Sequence, residues 1–360
     1  MNTPLVSIII PHWNHRNVLA DCLTSLARCD YPSLEIIVVD NNSTDDSVEY
    51  TEKYFPDVVI LKNQENRGFA GGCNDGAAAA NGEYLLILNN DTTQEPDWIS
   101  KLVRFMEANP SVGVVQPKLL NANDPDLFDY SGAAGGFMDR YAFPFARGRI
   151  IDQVERDTGQ YDGAIQTFWA SGTACLLRRS VYEQVELFDE TFFAHMEEID
   201  MNWRAQLAGW DVAVVPGAVV YHHSGYTLPP ESPFKKYLNH RNSVYMLFSN
   251  YQWPRMWIRG LQRLLLDGMA FFYSLVTGEF DRTLAVMKAW IWIVAHLHLI
   301  VRKRRTVAKI RNHSDAEIDY RLYQGSIALE SQLFGKKTWA RSRHAIGSLE
   351  KEKLEIDENN

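Results

Sequence analysis

Leu85-Leu86-Ile87-Leu88-Asn89-Asn90-Asp91 decides the fold: an apolar run fit for a buried strand ends abruptly in two amides and a carboxylate. A carboxylate at the mouth of a sheet is one way to hold a divalent cation against a phosphorylated substrate, because hard cations take oxygen ligands. Two earlier apolar runs end in the same manner. Residues 5–10 lead into Pro11-His12-Trp13-Asn14, and residues 34–39 into Asp40-Asn41-Asn42-Ser43. One polar strand end alone is ordinary turn chemistry. Three in order, followed by the acidic stretch Glu197-Glu198-Ile199-Asp200, point to strand ends converging on one crevice.

Outward from these runs, β-branched strands alternate with segments of helical period, which predicts an α/β chain with a mixed, mainly parallel sheet flanked by helices. The pattern predicts helices over 17–27, 43–54, 74–80 and 96–108, and strands over 58–61, 83–88 and 112–116. Residues 66–72, rich in glycine, are expected to form a loop feeding the third helix. From 121 to 166 periodicity fades while Gly, Pro, Asp and aromatics accumulate, so a long, partly ordered excursion over the crevice is expected. A strand over 167–178 is interrupted by Ser171-Gly172-Thr173. The acidic stretch opens a helix whose Ile199, Trp203 and Leu207 fall at four-residue spacing toward the core. Two further strands, 212–215 and 218–220, end in Tyr221-His222-His223. Neighbouring side chains on an extended chain point to opposite faces, so one of the two histidines reaches the site.

With 360 residues and 46% hydrophobic content the chain exceeds one average domain. The expected division is an α/β domain over 1–250 and a helical region over 251–360. A net charge of −9 argues against nucleic-acid binding through phosphate neutralisation. Cys22, Cys29, Cys73 and Cys175 lack metal-site pairing and disulfide density, so they read as small buried hydrophobes in a reducing cytoplasm. The first strand follows Met-Asn-Thr-Pro without the pattern of a signal peptide, so no export is expected. Residues 253–300 are apolar and aromatic and are followed by Arg302-Lys303-Arg304-Arg305. Asp267, Lys288, His296 and His298 interrupt them, leaving no clean run of about 20 residues to span a bilayer. Two readings fit: interfacial helices with a basic anchor at the inner face of the cytoplasmic membrane, reaching to residue 311, or a helical layer packed on the core or on a second copy. From 314 on, polar residues predict an exposed helix and a ragged tail.

The succession Ser7-Ile8-Ile9-Ile10-Pro11-His12-Trp13-Asn14, Val39-Asp40-Asn41-Asn42-Ser43-Thr44-Asp45, Asn66-Arg67-Gly68-Phe69, Leu88-Asn89-Asn90-Asp91, Glu197-Glu198-Ile199-Asp200 and Trp203-Arg204 resembles glycosyltransferase family 2, and within it the rhamnosyltransferase-like branch. The resemblance spans roughly 5–245. It implies a GT-A (Rossmann-like) fold, a nucleotide-diphospho-sugar donor (dTDP- or UDP-linked), a divalent metal (Mg2+ or Mn2+) and inversion at the anomeric carbon. The acceptor would be a glycan or lipid-linked glycan in bacterial surface polysaccharide synthesis.

Carried over, the resemblance assigns Pro11, Asn14 and Asp40 to the nucleoside pocket and Asn66, Arg67 and Gly68 to the nucleotide side. The family's Asp-X-Asp motif stands here as Asn89-Asn90-Asp91, so Asp91 alone keeps an anionic metal ligand and His222 joins it. The family's usual Glu-Asp stands as Glu197-Glu198. Glu198 is therefore the expected base, its reach altered by about one methylene, with Glu197 in reserve. Asp200 and Arg204, four apart on a helix, would pair and orient the segment. Ser171 and Gly172 resemble the small turn beside the acceptor, and Arg241 follows where it would approach the diphosphate.

Asn89 and the Glu-Glu pair also motivate a second reading, a non-catalytic nucleotide-sugar-binding subunit. A nicotinamide dehydrogenase is disfavoured because no G-x-G-x-x-G follows the first strand.

Overall fold

In a computed structural model, which describes residues 3–223, 232–334 and 339, the first half of the chain alternates strand and helix as expected. β1 (Val6–His12), α1 (Arg16–Leu26), β2 (Leu34–Asp40), α2 (Ser47–Tyr54), β3 (Val59–Lys62), α3 (Gly68–Ala79) and β4 (Tyr84–Leu88) follow in turn. Then come β5 (Thr92–Gln94), α4 (Trp98–Ala108) and β6 (Val112–Asn121). Residues 66–72 are not a loop, because α3 already starts at Gly68. Its glycines let it sit on the sheet: a Cβ on Gly76 would lie 2.4 Å from Ile9, and one on Gly72 would lie 2.9 Å from Asn41.

The middle segment differs from the expected excursion. It builds short strands β7 (Asp124–Phe128), β8 (Gly136–Met138), β9 (Pro144–Ala146), β10 (Arg149–Ile150), β11 (Gln153–Val154) and β12 (Ile165–Gln166). β8 to β11 form a separate four-stranded sheet, and Phe128, Phe137, Phe145 and Ile150 form its own apolar core with Tyr323 and Trp339. Period-2 patterning is lost in strands of two or three residues, so the sequence signal was absent.

β13 (Ala174–Arg178), α5 (Arg179–Val185), α6 (Glu197–Leu207) and β14 (Asp211–His222) complete the main sheet. The two expected strands after 211 are one, with a register shift between Val215 and Val219. The strand order is β12-β14-β6-β13-β4-β1-β2-β3. β4, β1, β2 and β3 run parallel, and β13 is antiparallel to β4 and to β6. The winding reverses where β1 lies between β2 and β4, so a crevice opens at their carboxyl ends.

One apolar cluster packs α1 and α4 on one face of the sheet. A second packs α3, α5 and α6 on the other. Over α6 lies a helical layer: α7 (Pro233–Asn250), α8 (Trp253–Val276), α9 (Phe280–Ala295) and α10 (Leu297–Ile310). α11 (Asp315–Asp319) and α12 (Ile327–Phe334) follow. The expected exposed helix after 314 instead folds back. Asp315 is buried, Arg321 pairs with Asp211 at 2.9 Å and Tyr323 N donates to Met138 O. The expected ragged tail falls on 335–360, outside the described residues apart from Trp339.

Candidate active site

The three polar strand ends meet. His12 and Asp40 are in register, Asn41 N donates to His12 O at 2.8 Å, and Asn90 Nδ2 lies 2.8 Å from His12 Nδ1. Burial pushes the His12 imidazole down to about 4, leaving it neutral against Asp40 and Asp45. Asp40 accepts from Ser43 N at 3.1 Å. Asn14, left-handed at φ 58°, accepts from Thr44 N at 2.8 Å. Pro11 lies opposite Val39 and 3.3 Å from a Cβ built on Gly72. At the start of α3, Asn66 Oδ1 accepts from Gly68 N at 2.8 Å, and Asn41 Nδ2 donates to Gly68 O. Arg67 pairs with Asp75 and with Glu190. A Cβ at Gly68 would lie 2.7 Å from Phe193 O, which only glycine permits at φ +69°. Pro11, Asn14, Asp40, Asn66, Arg67 and Gly68 thus line one end of the sheet.

Beside them sits a buried polar group that sequence reasoning found only in part. His222 ends β14 with Nε2 3.1 Å from Asp91 Oδ1 and 3.5 Å from Asn89 Nδ2. Its Nδ1 lies 3.0 Å from Asp129 Oδ1. Asp91, Asp129 and His222 are all buried. Burial opposes charging this imidazole, but Asp129 and Asp91 outweigh it and raise His222 to about 10. The backbone N of His223 donates to Asp91 O at 2.8 Å. Asp129 comes from the segment without periodicity, and nothing local in the sequence marks it.

A divalent cation would compete with a proton for this group, since His222, held charged between Asp129 and Asp91, can ligate only once Nε2 has lost its proton. Asp91 Oδ1 is buried and faces that Nε2 at 3.1 Å. The Nδ1 to Asp129 contact fixes the ring with Nε2 toward Asp91, as a carboxylate behind a ligating histidine does. Among the described residues no group of three or more His, Cys, Asp or Glu is placed to hold a metal ion, so any ion here would draw its remaining ligands from substrate or solvent.

The acid pair opens α6. Glu197 is 4% exposed and Glu198 half-buried, and neither Oε2 has a hydrogen-bond partner. Burial, then the neighbouring Glu198 charge, holds the Glu197 carboxyl well above the usual range. Burial raises Glu198 to about 7. A carboxyl poised there accepts a proton near neutral pH, and Glu198 is the more accessible of the two.

The turn at 170–173 joins cation pair and acid pair. Asn89 N donates to Thr173 O at 2.9 Å, and a Cβ on Gly172 would lie 3.5 Å from Glu198 Cβ. Asn202 Nδ2 donates to both Ala170 O and Glu198 O. The absent side chain at Gly172 leaves room beside Glu198 and Phe69, whose ring lies 3.3 Å from a Cβ built there.

Other expected residues sit elsewhere. Ser171 Oγ donates to Ser131 O at 2.8 Å and is buried, so it pins the middle segment rather than facing an acceptor. Asp200 and Arg204 pair at 2.9 Å, but Asp200 is also met by Lys303 at 2.7 Å and Asn250 at 2.9 Å. Arg204 donates to the carbonyls of Val185, Glu186 and Leu187. Both are therefore spent on scaffold contacts beneath the acids. Arg241 is not turned to the crevice: it donates to Thr191 O and Phe192 O at 2.8 Å and lies over the Trp292 ring. Its neighbour Asn242 donates to Phe192 O, Ala194 O and His195 O. Together they hold a loop in which Phe193, His195 and Met196 are left-handed, a conformation that costs about 1–3 kcal/mol per residue unless the surroundings impose it.

Comparison with known proteins agrees with this fold. The family model for glycosyl transferase family 2 matches residues 7–186. An N-acetylglucosaminyl-diphospho-decaprenol L-rhamnosyltransferase of Mycobacterium tuberculosis is 26% identical over 254 residues, covering 63% of this chain and 78% of that protein. The O-antigen biosynthesis protein RfbC of Myxococcus xanthus is 29% identical, over 61% of this chain but 17% of its own length. In fold, the chain is similar to GalNAc-T7 with UDP, GalNAc and Mn2+, at TM-score 0.55 and 16% identity over 70% of this chain and 49% of that one. It is also similar to the mannosyltransferase PcManGT from Pyrobaculum calidifontis in complex with GDP-Man and Mn2+, at TM-score 0.51 and 16% identity over 93% and 89% of the two chains. The sheet with its crevice is thus the GT-A arrangement. With that fold under its ordered motifs and the family match across half its length, the chain belongs to glycosyltransferase family 2, as a glycosyltransferase of the rhamnosyltransferase-like branch.

Proposed function

We propose that this enzyme transfers a sugar, with inversion, from a nucleotide-diphospho-sugar to a hydroxyl of a glycan or lipid-linked glycan during surface polysaccharide synthesis. The observation that carries the reading is the turn at 170–173, which bonds to Asn89 on one side and abuts Glu198 on the other. That proximity supports a reading in which leaving-group and nucleophile chemistry share one crevice.

Pro11, Asn14 and Asp40 hold the nucleoside, and Asn66 to Gly68 flank the phosphates. Asp91, with His222 once neutral, would hold a divalent cation, Mg2+ or Mn2+, whose positive charge would stabilise the departing diphosphate. Glu198 takes the acceptor hydroxyl proton as the new C–O bond forms and the bond to the diphosphate oxygen breaks on the opposite face. Burial and the Glu198 charge hold the Glu197 carboxyl well above the usual range, which favours its neighbour as the charged member of the pair. The mycobacterial relative's name supports L-rhamnose as the sugar and a polyprenyl-diphosphate glycan as the acceptor; the proposed place of work is the inner face of the cytoplasmic membrane.

The test is turnover of dTDP-, UDP- and GDP-sugars by the purified chain with Mn2+ and a polyprenyl-diphospho-sugar. Asp91→Ala and Glu198→Gln are each expected to lower turnover by at least about 10³-fold while circular dichroism at the assay temperature shows the chain still folded. Undiminished turnover in both variants overturns the reading. Donor binding by calorimetry with no transfer to any acceptor favours the non-catalytic subunit instead.

A further inference from the structure

Helix α8 is inside out. Its inward stripe falls at 256, 260, 263, 267 and 274 and carries Met, Gly, Arg, Asp and Ser. Its outward surface carries eleven exposed large apolar or aromatic residues among 24, with Trp257, Leu265 and Phe272 each more than 60% exposed. Soluble helices show the opposite order. α9 and α10 extend the face with Phe280, Met287, Ile291, Val294, Leu297 and Val301. Eighteen of the 25 exposed large hydrophobics among the described residues lie between 253 and 301. A contiguous apolar face of that extent is a covered surface.

Charge decides what covers it. Residues 253–311 hold eleven Lys and Arg against three Asp and Glu, in a chain of net charge −9. Lys288, Arg302, Arg305 and Lys309 are exposed and make no ion pair among the described residues. A second copy would set this cationic region against itself, because a two-fold interface opposes a patch to its own duplicate. An anionic lipid surface satisfies both the apolar face and its basic border. The helices lie on such a surface rather than cross it. No single described helix is long and apolar enough to span; α9 and α10 reach that length and hydropathy only as a pair, and they bend by 72° at their junction.

We infer that α8, α9 and α10 form a docking face for an anionic lipid bilayer, with their apolar side chains in the acyl boundary and Lys288, Arg302, Arg305 and Lys309 at the headgroups. Trp253, Trp257 and Tyr273 suit the interfacial depth, where amphipathic rings partition. Lys303, one residue from Arg302, turns the other way and pairs with Asp200 beneath the acid pair, so the docked layer stays fixed to the catalytic helix. This inference stands on the surface alone and is read without any sugar transfer.

The experiment is sedimentation of the full chain with phosphatidylcholine vesicles, with and without phosphatidylglycerol. The chain is expected to pellet with the anionic vesicles. The double variant Leu265→Asp with Phe272→Asp should reduce pelleting at least about tenfold. Arg302→Glu with Arg305→Glu should do the same and remove the preference for phosphatidylglycerol. These side chains are exposed, so circular dichroism melting and donor calorimetry should match the parent and exclude misfolding. Failure of the parent to pellet with either vesicle overturns the inference. So does pelleting indifferent to both double variants, and so does a dimer by light scattering that the Leu265/Phe272 variant dissociates.

Discussion

Helices α6 and α8 each bury an aspartate and an arginine four residues apart, at 2.9 Å in both cases, yet their charges do different work. In α8 every polar atom of the pair is engaged. Arg263 reaches Asp267, Tyr141 O and Ser243 Oγ, and Trp290 donates to the other oxygen of Asp267. In α6 the Asp200–Arg204 pair is as complete, but one turn earlier Glu197 and Glu198 each keep an oxygen with no hydrogen bond. Buried charge is costly in both places. Where it is fully paired it fixes how helices stack. Where it stands unpaired beside a crevice it is held ready for a proton.

The link between the two regions is Lys303. From α10 it reaches Asp200 at 2.7 Å and Asp189 at 2.9 Å, with its ammonium over Phe192 and Tyr245. If the helical layer were only a passenger on the catalytic core, removing this contact would matter little. Lys303→Met is instead expected to cost about 3 kcal/mol in urea unfolding, because half-buried Asp189 loses its cation and buried Asp200 loses one of two. Leu265→Ser, on the exposed face of α8, should change stability by less than about 0.5 kcal/mol. Although burial pushes Asp189 up, Lys303 outweighs it and holds the carboxyl well below the usual range. The stability so contributed is present above the unfolded pKa and lost as pH falls. The gap between parent and Lys303→Met should therefore be widest at neutral pH and narrow in acid. Equal effects of the two substitutions would erase the distinction between the regions.

Asn242 sharpens the same contrast from α7. It is fully buried and ties three carbonyls of the left-handed loop that leads into Glu197. Asn242→Ala should cost about 2 kcal/mol in unfolding and lower kcat about tenfold, while the donor dissociation constant by calorimetry holds. A change in donor affinity with kcat intact would place Asn242 on the nucleotide side, and its loop contacts would then be scaffold like those of α8.

How much of this was legible follows from the range of each signal. β1, β2 and β4, with their polar ends at Asn14, Asp40 and Asp91, announce themselves because a strand end and its turn are local chemistry. Glu197-Glu198 is likewise a short motif. Asp129 is not legible: it meets His222 across 93 residues and sits where very short strands carry no period. Arg241 and Asn242 sit beside the site in sequence order, but their direction depends on how α7 packs. The apolar character of α8 was plain, yet not that Arg263 and Asp267 point inward, because the sequence shows a charge in an apolar run without showing which side the core is on. The glycines of α3 suggested a loop, whereas close packing on Ile9 and Val39 required them in a helix.

The smallest expected effect is the most discriminating. Glu198 rises from an ordinary 4.5 to about 7 on folding, by burial, against the favourable N-terminal field of α6. Between those values the folded chain keeps a proton that the unfolded chain releases, so this residue's contribution to stability falls as pH rises across the window. Glutamine has no such proton to lose. Glu198→Gln should therefore be more stable than the parent above pH 7, by about 1 kcal/mol once partial solvent exposure is allowed for, with the gap closing toward pH 4.5. Parent turnover should show the mirror image, failing as pH drops below about 7 because the base is then protonated. Urea unfolding at pH 5 and pH 8 reads the first, and a pH profile of kcat/KM reads the second. A glutamine variant less stable than the parent at pH 8 would mean that the Glu198 carboxylate has scaffold partners, as Asp200 does. The contrast between unpaired and paired charge would then fail at the residue on which it depends most.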